Sequence, residues 1–476
     1  MALSDYEMAV GLEVHVELKT QTKIFCGCPT QFGAPPNTQC CPVCMGLPGS
    51  LPVLNREAVR LAVKAGLAAN CTIAEVSRQD RKNYFYPDLP KAYQISQYDR
   101  PLCEGGWLDI ETSEGAKRIG ITRIHIEEDA GKLVHMEGKG AGIDCNRCGV
   151  PLIEIVSEPD LRSAAEARAY LQKLRAVLLY TGVSDCRMNE GSLRCDVNLS
   201  VRRRGEARLG ERCEIKNLNS FLHVEKAIAY EFRRQAGLLE KGEPVLQETR
   251  RFEPASGKTF LMRRKENADD YRYFPDPDLA PIEVTGKVLE LLAREIPVLP
   301  DVRKAEYIKR WGLPSYTAER LVENRAAADF FEAAAKGCAY PALAANLMLS
   351  VLLPKLGEEG TTIPLPPGRL AAVAAMQGTG RLNSGTARQV LERLWDSDED
   401  PEALVERERL AQISADGELR ALALQTIGEQ AAAAADYRRG KTAALGALMG
   451  ALMRRSGGRG NPQRMREILC QLLAED

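Results

Sequence analysis

The chain has 476 residues, of which 45% are hydrophobic and 27% charged, as in ordinary soluble globular proteins. A single core rarely serves so long a chain, so about two to four domains are expected. The net charge of −1 supplies no global basic field, and any contact with nucleic acid must be local. No run approaches the roughly 20 apolar residues that span a bilayer, and the start lacks signal-peptide features. We therefore expect a cytoplasmic protein without membrane contact, whose cysteines are thiols or metal ligands.

The first informative pattern is Val10–Leu18, where apolar side chains alternate with Glu13, His15 and Glu17. A period of two predicts a β-strand with one apolar and one polar face. Carboxylates and an imidazole on one rigid strand suit a divalent cation. A solvated sheet face has the same pattern, and for this strand alone it is the simpler interpretation.

Two close cysteine pairs follow this strand, Cys26-Gly-Cys28 and, after twelve residues, Cys41-Pro-Val-Cys44. Each short pair offers two thiolates from one turn, and zinc takes four at tetrahedral corners. The spacing predicts a structural zinc knuckle, because four thiolates leave no open position for substrate. Buried free thiols are the alternative interpretation, and the neighbouring Cys40 is a fifth candidate ligand.

Basic and aromatic residues are concentrated in Arg78–Lys91, a segment that also contains two prolines. Arg81 and Lys82 are candidate phosphate ligands, and the rings of Tyr84–Tyr86 are candidates for stacking on a base. A surface loop held down by its aromatic side chains explains the segment equally well.

Two further predicted strands carry carboxylates. The alternating strand Ile119–Glu127 continues into Glu128 and Asp129, and three adjacent acids repel one another unless a cation or basic group lies among them. Glu154 interrupts the apolar run of a third strand, where a carboxylate is costly unless it is paired or metal-bound. The three strands together predict a cation site, and their hard oxygen ligands favour magnesium.

Basic residues recur on later strands, at Arg194 and at Lys216. Together with Arg81 and Lys82 they are candidates for holding a polyphosphate whose cation the acids bind. Charged solvent faces of ordinary strands explain each stretch about as well. The sequence has no G-x-x-x-x-G-K-[ST] motif, which argues against a P-loop.

The character of the sequence changes at about residue 297, after which alanine-rich helical patterns predominate. The densest local positive charge lies near the C-terminus and includes Arg438, Arg439, Lys441 and Arg459. These residues are candidate contacts to an RNA backbone, although a solvated helical face has the same composition.

Several long blocks closely resemble the B subunits of tRNA-dependent Asp/Glu amidotransferases. The blocks are V-G-L-E-V-H-V-E-L, D-R-K-N-Y-F-Y-P-D, H-I-E-E-D-A-G-K, P-L-I-E-I-V-S-E-P-D, S-L-R-C-D-V-N, K-N-L-N-S-F and D-Y-R-Y-F-P-D-P-D-L. The ending G-G-R-G-N-P-Q resembles that family's tail domain. The resemblance covers essentially the whole chain. It implies an α+β fold with a mixed-sheet cradle domain (1–296) that holds the zinc knuckle, an all-α helical domain (297–407) and a small all-α tail domain (408–476) that engages tRNA.

The same resemblance implies an activity. The family phosphorylates the side-chain carboxylate of misacylated Glu-tRNA(Gln) or Asp-tRNA(Asn) with ATP and then replaces the phosphate with ammonia. The ammonia comes from a glutaminase A subunit, and a small C subunit completes the heterotrimer. The family's magnesium ligands (Mg2+) map onto Glu13, His15, Glu128 and Glu154, with Glu127 as a neighbour. Its zinc ligands (Zn2+) map onto the four paired cysteines.

An alternative from a different class is a non-catalytic, zinc-containing tRNA-binding subunit whose acids are structural. ATP consumption that depends on misacylated tRNA separates the two interpretations. A stand-alone metallohydrolase is disfavoured, because a four-thiolate site is closed to substrate.

Overall fold

The computed structural model describes residues 3–136, 138, 140–264, 271–356, 362–413 and 415–474. The chain divides into two compact units, Met1–Leu299 and Pro300–Asp476. The first unit combines sheets with helices, and the elements described in the second unit are helices. The predicted α+β class is therefore confirmed. Among the described residues, no helix is both long enough and apolar enough to cross a membrane.

The first unit is built on strands. In the described residues these are β1 (Tyr6–Glu17), β2 (Thr72–Ile73), β3 (Val76–Ser77), β4 (Asp80–Asn83), β5 (Tyr93–Ser96), β6 (Cys103–Thr112), β7 (Gly115–Glu128), β8 (Lys132–Met136), β9 (Gly140–Asp144), β10 (Pro151–Ser157), β11 (Leu193–Arg203), β12 (Cys213–Lys216), β13 (Glu248–Glu253), β14 (Lys258–Arg264), β15 (Phe274–Pro275) and β16 (Ile282–Glu283). The alternating pattern at Val10–Leu18 correctly predicts most of β1. The structure extends this strand toward the N-terminus.

The described residues form one large mixed sheet, with strand order β14-β13-β12-β11-β1-β10-β7-β6-β2. β12 and β13 run parallel, whereas the other neighbours in this sheet are antiparallel. A smaller sheet has the order β15-β4-β5. β1 lies in the middle of the large sheet, so both of its edges are hydrogen-bonded to neighbouring strands.

Helices cover the apolar face of the large sheet. In the part of the first unit that the structure describes, the helices are a 3-10 turn at Leu3–Asp5, α1 (Arg56–Ala68), α2 (Ala164–Thr181), α3 (Phe221–Glu240) and α4 (Gly286–Glu295). Asn55, Ser163 and Ser220 each cap a helix by accepting a backbone N–H. α2 packs on β6 and α3 packs on β11. Their apolar residues form one buried core with those of β1, which leaves the opposite face of the sheet to the polar side chains.

The elements described in the second unit are helices. They are α5 (Pro300–Trp311), α6 (Ser315–Val322), α7 (Arg325–Ala335), α8 (Pro341–Leu347), a π-helical turn at Met348–Leu352, α9 (Leu353–Leu356), α10 (Pro367–Gly378), α11 (Ser384–Leu394), α12 (Pro401–Arg407), α13 (Asp416–Glu429), α14 (Ala431–Arg438), α15 (Ala444–Arg455) and α16 (Pro462–Ala474). Two separate buried clusters form here, one within 307–405 and one within 413–473. The three-domain division with boundaries at 296/297 and 407/408 stays a prediction.

Truncating Leu171 tests whether the helix-covered face is the core. Leu171 lies on α2 and is completely buried (0% exposed). Leu171→Ala removes buried methyl groups and leaves a cavity, so the free energy of unfolding of the first unit should fall by about 2–5 kcal/mol. Leu222→Ala on α3, where the side chain is 50% exposed, is the matched control. Urea titration followed by circular dichroism measures both, and equal losses would contradict this assignment of the core.

Candidate functional site

One face of the large sheet brings together polar side chains from strands that are far apart in sequence. His15 of β1 lies directly opposite Glu154 of β10 and, on the other side, opposite Arg194 of β11. Glu154 in turn lies opposite His125 of β7. Directly opposite residues of antiparallel strands share a face and are close neighbours. The register of these four strands therefore assembles a polar site at the centre of the sheet.

The centre of this site is a cluster of His15, Glu127 and Glu154. Nε2 of His15 lies 3.2 Å from a carboxylate oxygen of Glu154 and 4.0 Å from one of Glu127. Nε2 of His125 lies 3.7 Å from both carboxylates. One ligand atom from each of the three clustered residues falls within 4.8 Å of the other two. A single divalent cation can bridge oxygen and nitrogen atoms at this spacing.

Glu13 and Asp196 extend the cluster across β1 and β11. Asp196 lies directly opposite Glu13, and together with His15 these residues form a second group of potential metal ligands within 4.8 Å. Nζ of Lys216, on β12, pairs with Asp196 and lies 3.2 Å from a carboxylate oxygen of Glu214. The described residues thus offer two adjacent groups of cation ligands that share His15.

The small sheet β15-β4-β5 supplies side chains to the same site. Gln94 and Ser96 of β5 donate hydrogen bonds of 2.7 and 2.8 Å to the two carboxylate oxygens of Glu127. Lys82 of β4 places its ammonium group 5.1 Å from the ring centre of Tyr271. With only 3% of its surface exposed, Glu127 is held in one orientation.

Electrostatic interactions keep the buried cluster charged. Burial alone would raise the pKa of Glu127, but the Lys82 ammonium and a histidine hydrogen bond lower it to about 2. Burial alone would lower the pKa of His15, but its hydrogen bond to Glu154 and the nearby carboxylates raise it to about 9. A proton on His15 and a bound cation neutralise the same carboxylates, so the two compete for one position.

The environment of Glu13 also suits a cation, because a positive charge would relieve the repulsion between its carboxylate and that of Glu154. Burial raises the pKa of this carboxyl group, and the charge of Glu154 raises it further. Such a shift is the expected result when several carboxylates share one buried site. Carboxylate oxygens with one imidazole nitrogen are a donor set that accepts magnesium, and the clustered residues fit it on that chemical ground.

Glu128 is not brought into this cluster. Successive residues of a strand point to opposite faces, so Glu127 faces His15 whereas Glu128 points away. The Glu128 carboxylate pairs with Lys91 and accepts a 2.8 Å hydrogen bond from the backbone N–H of Ile95. Of the four predicted magnesium ligands, the structure brings Glu13, His15 and Glu154 together. Glu127 joins them in place of Glu128. A run of consecutive acids does not by itself indicate which one faces the site.

Three of the four predicted phosphate ligands, Lys82, Arg194 and Lys216, border the cluster. Their positive charges surround the carboxylates, and the nearby acids keep each of them protonated. An Nη of Arg194 lies 2.5 Å from Asp129 at the end of β7. The acids of the cluster raise the pKa of Lys82 and Lys216 against the opposing effect of burial. These cations could hold an anionic ligand at the edge of the site.

Arg81, the fourth predicted phosphate ligand, is engaged in contacts within the protein. Its guanidinium lies 2.7 Å from a carboxylate oxygen of Asp276 and 2.9 Å from one of Asp278. It also lies over the ring of Tyr93, with 4.3 Å between the guanidinium carbon and the ring centre. These contacts join β4 to β5 and to the segment that follows β15.

The four cysteines predicted to bind zinc come together. The Sγ atoms of Cys26, Cys28, Cys41 and Cys44 all lie within 4.8 Å of one another. A tetrahedral zinc ion with bonds of about 2.3 Å places its sulfur ligands about 3.8 Å apart. Nζ of the buried Lys23 lies 3.5 Å from Sγ of Cys44 and supplies a neighbouring positive charge. The group could therefore hold zinc, in the loop between β1 and α1.

Other cysteines of this region are not part of the four-thiol group. Sγ of Cys40 lies 3.3 Å from the backbone carbonyl of Asn37, to which it donates. Cys145 and Cys148 are buried free thiols. Their C-x-x-C spacing alone predicts no site, and the structure places no third ligand with them among the described residues.

The predicted tRNA-binding residues lie in the second unit. Arg438, Arg439 and Lys441 are exposed at the end of α14. Arg439 and Lys441 both pair with Asp436, which reduces their net charge but leaves them accessible. Arg459 is half-buried and donates a 2.6 Å hydrogen bond to a backbone carbonyl ahead of α13. The first three residues thus form a basic surface, whereas Arg459 also connects two segments of the unit.

Sequence reasoning missed several residues of the site. Asp196 and His125 each lie two positions from a predicted site residue, Arg194 and Glu127 respectively. The period of two places them on the same strand faces as Arg194 and Glu127, but it does not indicate that these faces meet at one site. Gln94 had no comparable signal, because its role depends on the packing of β5 against β7.

Comparison with known proteins identifies the class of protein that this fold and site represent. A model described as the GatB/GatE catalytic domain matches residues 8–290, and one described as the GatB domain matches residues 329–473.

The chain is 51% identical to the B subunit of the aspartyl/glutamyl-tRNA(Asn/Gln) amidotransferase of Caldicellulosiruptor saccharolyticus, with 98% of this chain and 99% of the relative covered. It is 50% identical to the B subunit of the same enzyme from Caldanaerobacter subterraneus, over 99% and 100% of the two chains. The corresponding protein of Carboxydothermus hydrogenoformans is 49% identical over 99% and 100%. The chain therefore belongs to the family of amidotransferase B subunits, which are parts of an amido-ligase, and the predicted resemblance is confirmed.

Replacing single cysteines tests the four-thiol group. Cys41→Ser removes one ligand of the group, so the purified protein should lose most of its zinc and the first unit should become less stable. Cys40→Ser, one residue earlier and outside the group, is the matched control and should keep its zinc. Metal analysis of protein purified without chelators should give about one zinc per native chain. Absence of zinc from the native protein would contradict the assignment.

Proposed function

We propose that this chain carries out ATP-dependent transamidation of misacylated Glu-tRNA(Gln), Asp-tRNA(Asn) or both, forming Gln-tRNA(Gln) and Asn-tRNA(Asn). It would act in a heterotrimer with a glutaminase A subunit and a small C subunit, as the family resemblance of the sequence blocks implies; the names of its relatives describe them as B subunits of an amidotransferase. The observation that supports this proposal most directly is the convergence of His15, Glu127 and Glu154 from three strands, beside the Lys82 ammonium. The match to a catalytic-domain family model supports it independently.

The chemistry of transamidation requires such a site. A free carboxylate is a poor acyl donor, because its negative charge repels a nucleophile and it lacks a good leaving group. Transfer of the γ-phosphoryl group of ATP to the carboxylate gives an acyl phosphate and releases ADP. Ammonia then attacks the acyl carbon, and phosphate leaves. Phosphoryl transfer depends mainly on positioning and on neutralising phosphate charge.

The residues of the face divide these tasks. Glu13, His15, Glu127, Glu154 and Asp196 would hold magnesium, which neutralises phosphate charge and orients the transferring group when it is bound.

Lys82, Arg194 and Lys216 would attract the phosphates of ATP and the substrate carboxylate. The hydrogen bonds from Gln94 and Ser96 hold the Glu127 carboxylate in its orientation. In this proposal Glu128 acts indirectly, since its carboxylate pairs with Lys91 and accepts a hydrogen bond from the backbone of β5.

The other two predicted sites have supporting functions in this proposal. Zinc in the four-thiol group would order the loop between β1 and α1, because that loop contributes few residues to the buried core. The basic surface of Arg438, Arg439 and Lys441 would contact tRNA phosphates and so raise the affinity for tRNA without entering the chemical step.

Neutralising one carboxylate of the cluster tests the proposed site. In the assembled complex with ATP, magnesium and misacylated tRNA, Glu127→Gln should lower the rate of transamidation by orders of magnitude. The rate should fall because positioning of the cation accounts for much of phosphoryl-transfer catalysis. The zinc content and the rate of glutamine hydrolysis should change far less. Glu104→Gln on the same sheet, where the side chain is exposed, is the matched control.

A magnesium titration separates cation ligands from residues that act by packing. Glu127→Gln should raise the magnesium concentration needed for half-maximal activity, whereas Glu128→Gln should leave that concentration unchanged even if the rate falls. An intact Glu127→Gln complex that transamidates at the native rate would favour the non-catalytic tRNA-binding subunit instead.

Removing positive charge from α14 tests the tRNA surface. The triple variant Arg438→Ala, Arg439→Ala, Lys441→Ala should raise the KM for tRNA and make the affinity less sensitive to salt, since fewer counterions are released. The slope of log affinity against log salt should become shallower by about two units. Lys287→Ala with Arg294→Ala on the exposed surface of α4 is the control. Unchanged tRNA affinity in the triple variant would rule out this surface.

A further inference from the structure

A cavity opens at the end of β1, where Glu17 follows His15 by two residues on this strand. Its volume is about 420 Å³. Three parts of the first unit form it: the end of β1 with Glu17 and Lys19, the loop between the two cysteine pairs with Gln31 and Phe32, and the segment between α2 and β11 with Ser192. None of the tasks described above uses this cavity.

Hydrogen bonds hold the walls of this cavity in place. The backbone N–H of Glu17 donates a 2.9 Å hydrogen bond to the carbonyl of Ser192. The Thr30 hydroxyl donates to the carbonyl of Thr20 at 2.6 Å, and the Ser192 hydroxyl accepts from the backbone N–H of Arg187 at 2.7 Å. These bonds join all three parts of the wall, so the cavity is formed before any ligand enters.

Three side chains at the rim have capacity for a ligand. Phe32 is 66% exposed, and in the described part of the chain no other ring stacks on it. Lys19 and Gln31 are also exposed, and the structure shows no hydrogen bond or ion pair for their side chains among the described residues. Proteins bind nucleobases by stacking them on aromatic rings, and they bind phosphates with ammonium groups. Phe32 and Lys19 offer these two groups, and the Gln31 amide can hydrogen-bond to a base.

The charges inside the cavity favour a neutral group there. Glu17, Asp185 and Glu190 line it. The carboxylates of Asp185 and Glu190 repel phosphate, and the oxygens of all three side chains accept hydrogen bonds from sugar hydroxyls. Arg187 already lies 3.0 Å from Glu190. The phosphates of a nucleotide are therefore expected outside the cavity, where the Lys19 ammonium lies at the rim.

The position of the cavity relates it to the cation cluster. Glu17 and His15 are two residues apart on one strand face, which corresponds to roughly 6–7 Å. A base that stacks on Phe32, with its ribose beside Glu17, would direct the substituent of that ribose toward His15.

We propose that this cavity binds an adenosine group, with the base on Phe32 and the ribose beside Glu17 and Ser192. The inference rests on the proposed function, in which two ligands carry adenosine. One is ATP, and the other is the 3′-terminal nucleotide of tRNA, whose ribose bears the amino acid. For the tRNA end, the 5′-phosphate of the terminal nucleotide would lie outside the cavity at Lys19, and the amino acid on its ribose would extend along β1 to the cluster at His15.

Equilibrium binding to the assembled complex tests the proposal without requiring catalysis. The ligands are ATP with magnesium, intact tRNA and tRNA that lacks its terminal adenosine. Phe32→Ala should raise the Kd of one adenosine-bearing ligand by about fivefold or more, because a base loses its stacking surface. Phe32→Tyr keeps the ring and should restore binding. Leu51→Ala, 66% exposed in the same loop region and outside the cavity, is the matched control.

The two sources of adenosine give different results. If ATP occupies the cavity, Phe32→Ala weakens ATP and leaves both tRNAs unchanged. If the tRNA end occupies it, the native complex prefers intact to truncated tRNA, and Phe32→Ala abolishes that preference. Unchanged Kd values for all three ligands would overturn the proposal. So would failure of the Phe32→Ala complex to assemble, since Phe32 would then be a subunit contact. Failure of the proposed function is a separate result: intact binding with no transamidation by the native complex.

Discussion

The antiparallel register of β1 against β10 and β11 is the constraint on which the candidate site depends. It sets His15 opposite Glu154 on one side and Arg194 on the other. A shift by one residue would turn these side chains to the other face of the sheet. The alternate residues Val14 and Val16 are completely buried (0% exposed) under the helices, so such a shift would expose apolar surface. Burial of the apolar face thus maintains the geometry of the polar face.

Charge neutralisation is the second requirement of this arrangement. Carboxylates on one buried face repel one another and are stable only when positive charge accompanies them. Lys82 and Lys216 supply part of that charge, and the raised pKa of His15, about 9, shows that the carboxylates also favour a proton there. A site that stabilises positive charge so strongly is well suited to bind a divalent cation together with an anionic phosphate. In the proposed function, the same electrostatics would prepare the site for phosphoryl transfer.

The loop between β1 and α1 links the four-thiol group to the cavity at the end of β1. Phe32 lies between the two cysteine pairs, four residues after Cys28 and nine before Cys41. A closed zinc site orders a loop that has little apolar surface to bury. If zinc binds the four-thiol group, the position of the Phe32 ring would depend on the metal. This arrangement connects a structural site with the edge of the candidate active site.

Local sequence patterns were enough to predict the central strand β1 and the four-thiol group. A period of two identified β1 and the side chains that share its face, and cysteine spacing identified the four-thiol group, because both signals depend on residues close together in the chain. Tertiary structure decided three features of the site. It decided that Glu127 and not Glu128 faces the cluster, that Asp196 lies beside Glu13, and that Gln94 donates a hydrogen bond to Glu127. Each depends on register or packing between strands separated by tens of residues or more. A single sequence records the side chains of each strand but not their register, which is set by the burial of apolar surface across the whole sheet.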